Sequence, residues 1–150
     1  MKKVIAILVA VFAFVAVASA QPRALGIRAG YGGELSYQHS AGANFMELDL
    51  GFLAGNGLYA TGIYDFILGN AGICNFYAGP GVQLGAYSYK DSSSGATSMK
   101  FNAAVVGQIG VEFEIPSIPM NISIDWRPAY YFVHGGFGWN GFALGLRYRF

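Results

Sequence analysis

"FNAAVVGQIGVEF", residues Phe101 to Phe113, alternates strictly along its length. Phe101, Ala103, Val105, Gly107, Ile109, Val111 and Phe113 fall on one face. Asn102, Ala104, Val106, Gln108, Gly110 and Glu112 fall on the other, continued by Glu114. A period of two marks an extended strand whose faces meet different surroundings. In a soluble sheet the apolar face would meet a core and the polar face water. In a membrane barrel the assignment reverses, with apolar residues toward lipid and polar ones toward the lumen.

The flanking segments extend the pattern. Upstream, "DSSSGATS" (Asp91 to Ser98) is a polar, flexible loop; downstream, "IPSIP" (Ile115 to Pro119) is a tight turn fixed by proline. Beyond the turn, Ile122, Ile124, Trp126, Pro128 and Tyr130 oppose Asn121, Ser123, Asp125, Arg127 and Ala129. Before the loop, Phe76, Ala78, Pro80, Val82, Leu84 and Ala86 oppose Tyr77, Gly79, Gly81, Gln83, Gly85, Tyr87 and Tyr89. Pro80 has no N–H to give a sheet, which predicts a local bulge between Gly79 and Gly81. Met46, Leu48, Leu50 and Phe52 oppose Glu47, Asp49 and Gly51, and "GFALGLRYRF" (Gly141 to Phe150) alternates to its last residue. Only Leu58 to Leu68 is ambiguous, because both faces mix apolar residues with Thr61 and Asp65.

Composition narrows the class. Lys2 and Lys3 precede an uncharged apolar run that closes on Ala18-Ser19-Ala20, the three-part pattern of a secretory leader. Residues 1–20 are therefore expected to be cleaved, leaving a single domain over 21–150. Beyond residue 20 the chain carries seven Lys or Arg and eight Asp or Glu, about 12% of its 130 residues. That is half the roughly 25% usual in soluble domains, and no basic stripe is available for nucleic acid. No later stretch is apolar enough for a membrane helix, so a membrane reading requires strands. Cys74 is the sole cysteine, which excludes an internal disulfide and a multi-cysteine metal site. No cofactor is expected.

Strand number follows from length. Eight strands of about 11 residues leave about six residues per connection, whereas ten would leave about two. Eight requires Ala24 to Ser40 to split at "GYGG" (Gly30 to Gly33). The alternation runs through that stretch unbroken, so one strand or two are both allowed locally.

The closing stretch "GFALGLRYRF", with Leu146, Tyr148 and Phe150 at alternate positions, resembles the C-terminal signal of outer-membrane barrel proteins. Together with "YAGPGVQLGAY" and "GQIGVEFEI", it makes the chain resemble the small eight-stranded members of that family, the OmpA and OmpX type. The resemblance implies an all-β fold, an eight-stranded antiparallel up-and-down transmembrane β-barrel. It implies residence in the outer membrane of a Gram-negative-type bacterium, with both termini periplasmic. The implied partners are outer-membrane lipid and, during biogenesis, the barrel assembly machinery and periplasmic chaperones. It carries no catalytic residues. Aromatics gather toward two rims, with Trp126, Tyr130, Tyr131, Phe132, Phe137, Trp139 and Phe142 at one and Phe113, Tyr148 and Phe150 at the other.

An eight-stranded barrel encloses only enough space for side chains. The inward set offers Arg28, Arg127, Arg147 and Arg149 with Glu34, Glu47, Asp49, Glu112 and Asp125. Their near-equal numbers favour pairing in the lumen, where an unpaired charge is expensive. The expected function is that of a structural or surface-interaction protein with a filled lumen and no open pore, and not an enzyme. A gate of rearranging salt bridges, a lipid A-modifying enzyme using His134, and a secreted lipocalin-like barrel for an apolar ligand are the alternatives. "GFGWNG" (Gly136 to Gly141) matches G-x-G-x-x-G but lacks the following helix of a dinucleotide site and reads as loop glycines. His39 and His134 stand at strand ends with no companion ligands for a metal.

The two face assignments differ in a measurable way. A spin label at residue 111 should be quenched by lipid-dissolved oxygen in reconstituted protein, and one at residue 108 should not. Quenching at 108 would exchange inside for outside throughout.

Overall fold

The computed structural model describes residues 22–30, 32–53, 57–133 and 135–150. The leader expected over 1–20 and His134 lie outside them. Strands follow one another as β1 (Pro22–Ala29), β2 (Gly33–Ala41), β3 (Asn44–Leu53), β4 (Gly57–Ala71) and β5 (Cys74–Lys90). They continue as β6 (Thr97–Glu114), β7 (Met120–Trp126), β8 (Ala129–Tyr131), β9 (Gly136–Gly138) and β10 (Phe142–Arg149). Sequential neighbours from β1 to β7 pair antiparallel, β6 also pairs β8, and β8 pairs β9. β10 lies between β7 and β1 and closes the ring. Because β7 and β8 share one position in the wall, and β9 and β10 the next, the fold is a closed eight-stranded antiparallel barrel. Closure leaves the wall no long edge to pair with another chain.

Residues 24–40 form two strands. Arg28 stands opposite Glu34 and Ala29 opposite Gly33. The turn between them is tied by the Gly30 N–H donating to the Gly32 carbonyl at 3.0 Å. Hairpin partners that differ by an even number preserve the alternation phase, which is why the split leaves no mark in the sequence pattern.

The bulge expected at Pro80 is not there. Pro80 faces Gly107 within a continuous register from Cys74 to Lys90. Gly107 gives its N–H to the Pro128 carbonyl at 3.0 Å, so the Pro80–Gly107 pair exchanges no hydrogen bonds and the missing donor faces β4. The β4 ladder has no partners between Ile63↔Gly81 and Phe66↔Ala78. Gly79 is needed there, since a Cβ would lie 1.8 Å from the Tyr64 carbonyl oxygen. The register shifts fall elsewhere, between Ile67 and Gly69 in β4 and between Pro22 and Ala24 in β1.

Side chains sort by parity. Outward rows such as Leu25 and Ile27, Val82 and Leu84, and Ile122 and Ile124 are exposed, whereas their inward neighbours are buried. Ile109 is 52% exposed and Gln108 only 4%. The sheet is thus inside out relative to a soluble domain. Inward glycines make room for rings, Gly51 beneath Tyr59 and Gly110 beside Tyr77. Tyr89, on the inward face of the alternation, is half exposed at the mouth with Lys100 4.3 Å above its ring. β4 begins opposite Tyr87, whereas Tyr89 is paired on its other side with Ser98 of β6. Tyr131, expected on the outer rim, packs inward against Ile63, Ala104, Val106 and Ala129. Gly136 and Gly138 belong to β9 rather than to a loop.

Outside, Trp126 stacks on Trp139 and on Phe142, each at 5.9 Å between ring centroids. Its Nε1 donates to the Trp139 carbonyl at 2.8 Å. At the opposite end Tyr148 and Phe150 meet edge to face at 5.6 Å. The β5–β6 connection is an ordered turn in which Asp91 accepts the Ser93 N–H at 3.0 Å and its hydroxyl at 2.7 Å. Those bonds, the backbone one foremost, hold the Asp91 carboxyl below its usual range.

A Cβ on Gly51 would come 2.0 Å from the Tyr59 ring, whereas Gly33 faces open space. Gly51→Val should therefore cost about 1–3 kcal/mol through overpacking, and Gly33→Val far less. Urea unfolding in detergent micelles measures the difference.

Candidate functional site

The lumen is packed in tiers. At the end where β1 begins and β10 finishes, Arg23 donates to Gln38 Oε1 at 2.7 Å and to Glu112 Oε2 at 3.0 Å, and lies 4.3 Å over the Phe45 ring. Phe45 meets Tyr77 edge to face at 5.4 Å, and both are fully buried. Asn121 Nδ2 completes Glu112 at 2.6 Å. Above this plug, Arg147 donates to Ser36 Oγ at 2.9 Å and to Ser123 Oγ at 2.7 Å, and its Nη2 stands 3.1 Å from Glu47 Oε2.

Arg127 occupies the next tier. Its Nη2 reaches Asp49 Oδ2 at 2.6 Å, Glu47 Oε1 at 2.9 Å and Gln108 Oε1 at 2.6 Å, and its Nη1 is 3.4 Å from Glu34 Oε2. Arg28 donates to Glu34 at 2.6 Å and to Asp125, and the Tyr59 hydroxyl donates to the other Glu34 oxygen at 2.7 Å. Gln108 Nε2 donates to Asp65 Oδ2 at 3.0 Å. Arg28 meets Glu34 on the neighbouring strand β2, whereas Arg127, just past β7, and Arg147 on β10 meet carboxylates of β2 and β3 across the barrel. In a medium of low polarity such bonds are strong when complete and costly when broken.

Seven of the nine expected lumen residues, Arg28, Glu34, Glu47, Asp49, Asp125, Arg127 and Arg147, therefore form one connected network. Glu112 belongs to the lower tier with Arg23. Arg149 stands apart at the rim, 2.7 Å from Glu114 Oε2, with 29% of its side chain exposed. Leu146, Tyr148 and Phe150 point outward and are exposed. Sequence reasoning missed Arg23, Asp65 and Gln108 as members. Arg23 shares parity with outward Leu25 and Ile27, and only the register shift before Ala24 brings it inside. Asp65 shared its parity with Thr61, and both are buried; two polar residues on one face were the available signal.

Above the network the barrel opens into a cup of about 590 Å³. Arg28, Glu34 and Arg127 make its floor, and Tyr59, Tyr87 and Tyr131 line its walls with Gln83, Asn102 and Asn140. Gln83 Nε2 donates to the Tyr87 hydroxyl at 3.2 Å. A smaller hollow of about 390 Å³ lies at the opposite end beside Arg23 and Arg149, so the network separates the two. Among the described residues no group of His, Cys, Asp and Glu is arranged to hold a metal. Comparison of the chain with protein-family models, curated proteins and solved structures finds no match.

Arg127→Met should strand Glu47 and Asp49 without a full complement of donors and cost about 3–5 kcal/mol. Arg149→Gln, at the rim, should cost about 0–1 kcal/mol. Urea midpoints of the refolded variants give both values.

Proposed function

We propose that the protein is an integral outer-membrane β-barrel of the small eight-stranded type, with a structural or surface-interaction role and no open pore. One observation carries this reading: the charges are inside and the apolar side chains outside. Leu25, Ile27, Leu35, Leu48, Phe66, Val82, Leu84, Val105, Ile109, Ile124 and Leu144 are all exposed, on strands from every side of the wall. Soluble monomers rarely expose contiguous apolar patches beyond a few hundred Å², whereas lipid requires such a belt. A barrel that carries an apolar ligand needs an apolar interior, and buried Arg147, Glu47 and Asp49 argue against one.

The aromatic stacks at the two ends suit the interfaces of a bilayer. With the leader removed, both termini and the short turns face the periplasm, and the cup faces outward. The backbone is paired within the closed wall, as hydrocarbon demands. The filled interior favours a plug over a conduit.

Such a barrel resists detergent until heated. Unheated protein should migrate differently from boiled protein on a denaturing gel, and should fractionate with outer membranes. Identical mobility together with recovery in the soluble fraction would sink the proposal.

A further inference from the structure

We propose that the cup at the mouth binds a neutral, hydroxyl-rich ring compound, a mono- or disaccharide. Its volume of about 590 Å³ falls within the roughly 300–1,000 Å³ of small-molecule sites. The lining decides the chemistry. Tyr59, Tyr87 and Tyr131 present large amphipathic surfaces from three parts of the wall, β4, β5 and β8. Between them stand the amides of Gln83 and Asn140, groups that both donate and accept, and Asn102, whose Oδ1 already accepts the Ala103 N–H at 2.9 Å. Rigid tyrosines interleaved with adaptable amides form a surface suited to mixed polar and apolar contact.

The floor argues against an ionic ligand. Arg28 is satisfied by Glu34 and Asp125, and Arg127 by Glu34, Glu47 and Asp49. No cation of the floor is left over for an anion to neutralise, and the network's surplus acids, Asp49 and Asp65 among them, lie buried beneath the floor. Lys100, on the rim above the Tyr89 ring, is the remaining cation of the lining, and a lone solvated charge contributes little. A wholly apolar ligand fares worse, because it would strip water from the amides and the charged floor without replacing its hydrogen bonds. A sugar ring offers both parts: a C–H face for the tyrosines, and adjacent hydroxyls for the amides and the exposed edges of the floor. The outward direction of the cup rests on the membrane reading above, but its chemistry rests only on the barrel.

The test is saturation-transfer NMR on the folded protein in lauryldimethylamine-oxide micelles, a detergent with no sugar headgroup. The probes are glucose, galactose, mannose, N-acetylglucosamine, maltose and lactose, with benzoate as the anionic comparison. At least one sugar should receive saturation through its ring protons. Its affinity should fall about tenfold in Tyr87→Ala or Gln83→Ala, the loss of one ring or bond contact. Phe137→Ala, outside the cup, should leave it unchanged. Asn140→Trp, in the lining and outside every strand, should block binding without touching the ladder, and covers the case in which the Tyr87 variant fails to fold. Absence of transfer to every sugar would overturn the proposal. So would benzoate binding that disappears in Lys100→Met, which would make this an anion site. Recovery of the protein in the soluble fraction would sink the membrane reading but leave the sugar titration readable, so the two failures are distinct.

Discussion

The Arg127 guanidinium holds the interior together. It sits at the end of β7 and reaches Glu34 on β2, Glu47 and Asp49 on β3, and Gln108 on β6. β2 and β3, which do not pair with β7 in the wall, are thereby tied to it across the lumen. The local backbone is shaped to permit this: the Arg127 N–H donates to the Gly141 carbonyl at 3.0 Å, and a Cβ on Gly141 would collide with the Arg127 carbonyl at 1.9 Å. Pro128 follows at once and ends β7, so the chain turns from the network into the short β8 segment that borders the cup.

The same arrangement links interior and mouth. Arg28, Glu34 and Arg127 belong both to the network and to the cup floor. Their pairing with one another and with Asp125, Glu47 and Asp49 fixes the floor's side chains and sets the polarity that an occupant would meet. The tyrosine walls are held likewise, Tyr59 by its bond to Glu34 and Tyr87 by Gln83. A rigid, already ordered cup loses little freedom on binding.

Much of this was legible in the alternation. Phe101 to Phe113 alone assigns Gln108 and Glu112 to one side and Ile109 to the other, and burial follows that assignment. The division at residues 24–40 left no mark on the alternation, because a hairpin of even offset keeps its phase; it followed only from the length count that asked for eight strands. Arg23 was hidden by a register shift that a pattern of fixed period does not register. Pro80 misled for a related reason: a proline alone does not say toward which neighbour its missing donor points, and here Gly79 and the β4 gap absorb it. The cup was invisible, since its walls come from strands of unequal length brought together only by closure.

The seam between β1 and β10 has a consequence for how the chain reaches this state. Ala24 pairs with Arg149, and the Phe150 N–H donates to the Arg23 carbonyl at 3.2 Å. The first and last described strands are thus neighbours, and the ring is complete only when β10 arrives. Contacts of such long sequence separation form late and slowly, after the entropy of ordering nearly everything between them has been spent. The reverse journey is equally concerted: opening the seam exposes two strand edges and strips Arg147 of its place between Ser36 and Ser123. Persistence of the closed ring is therefore governed by the height of the opening barrier as much as by equilibrium stability.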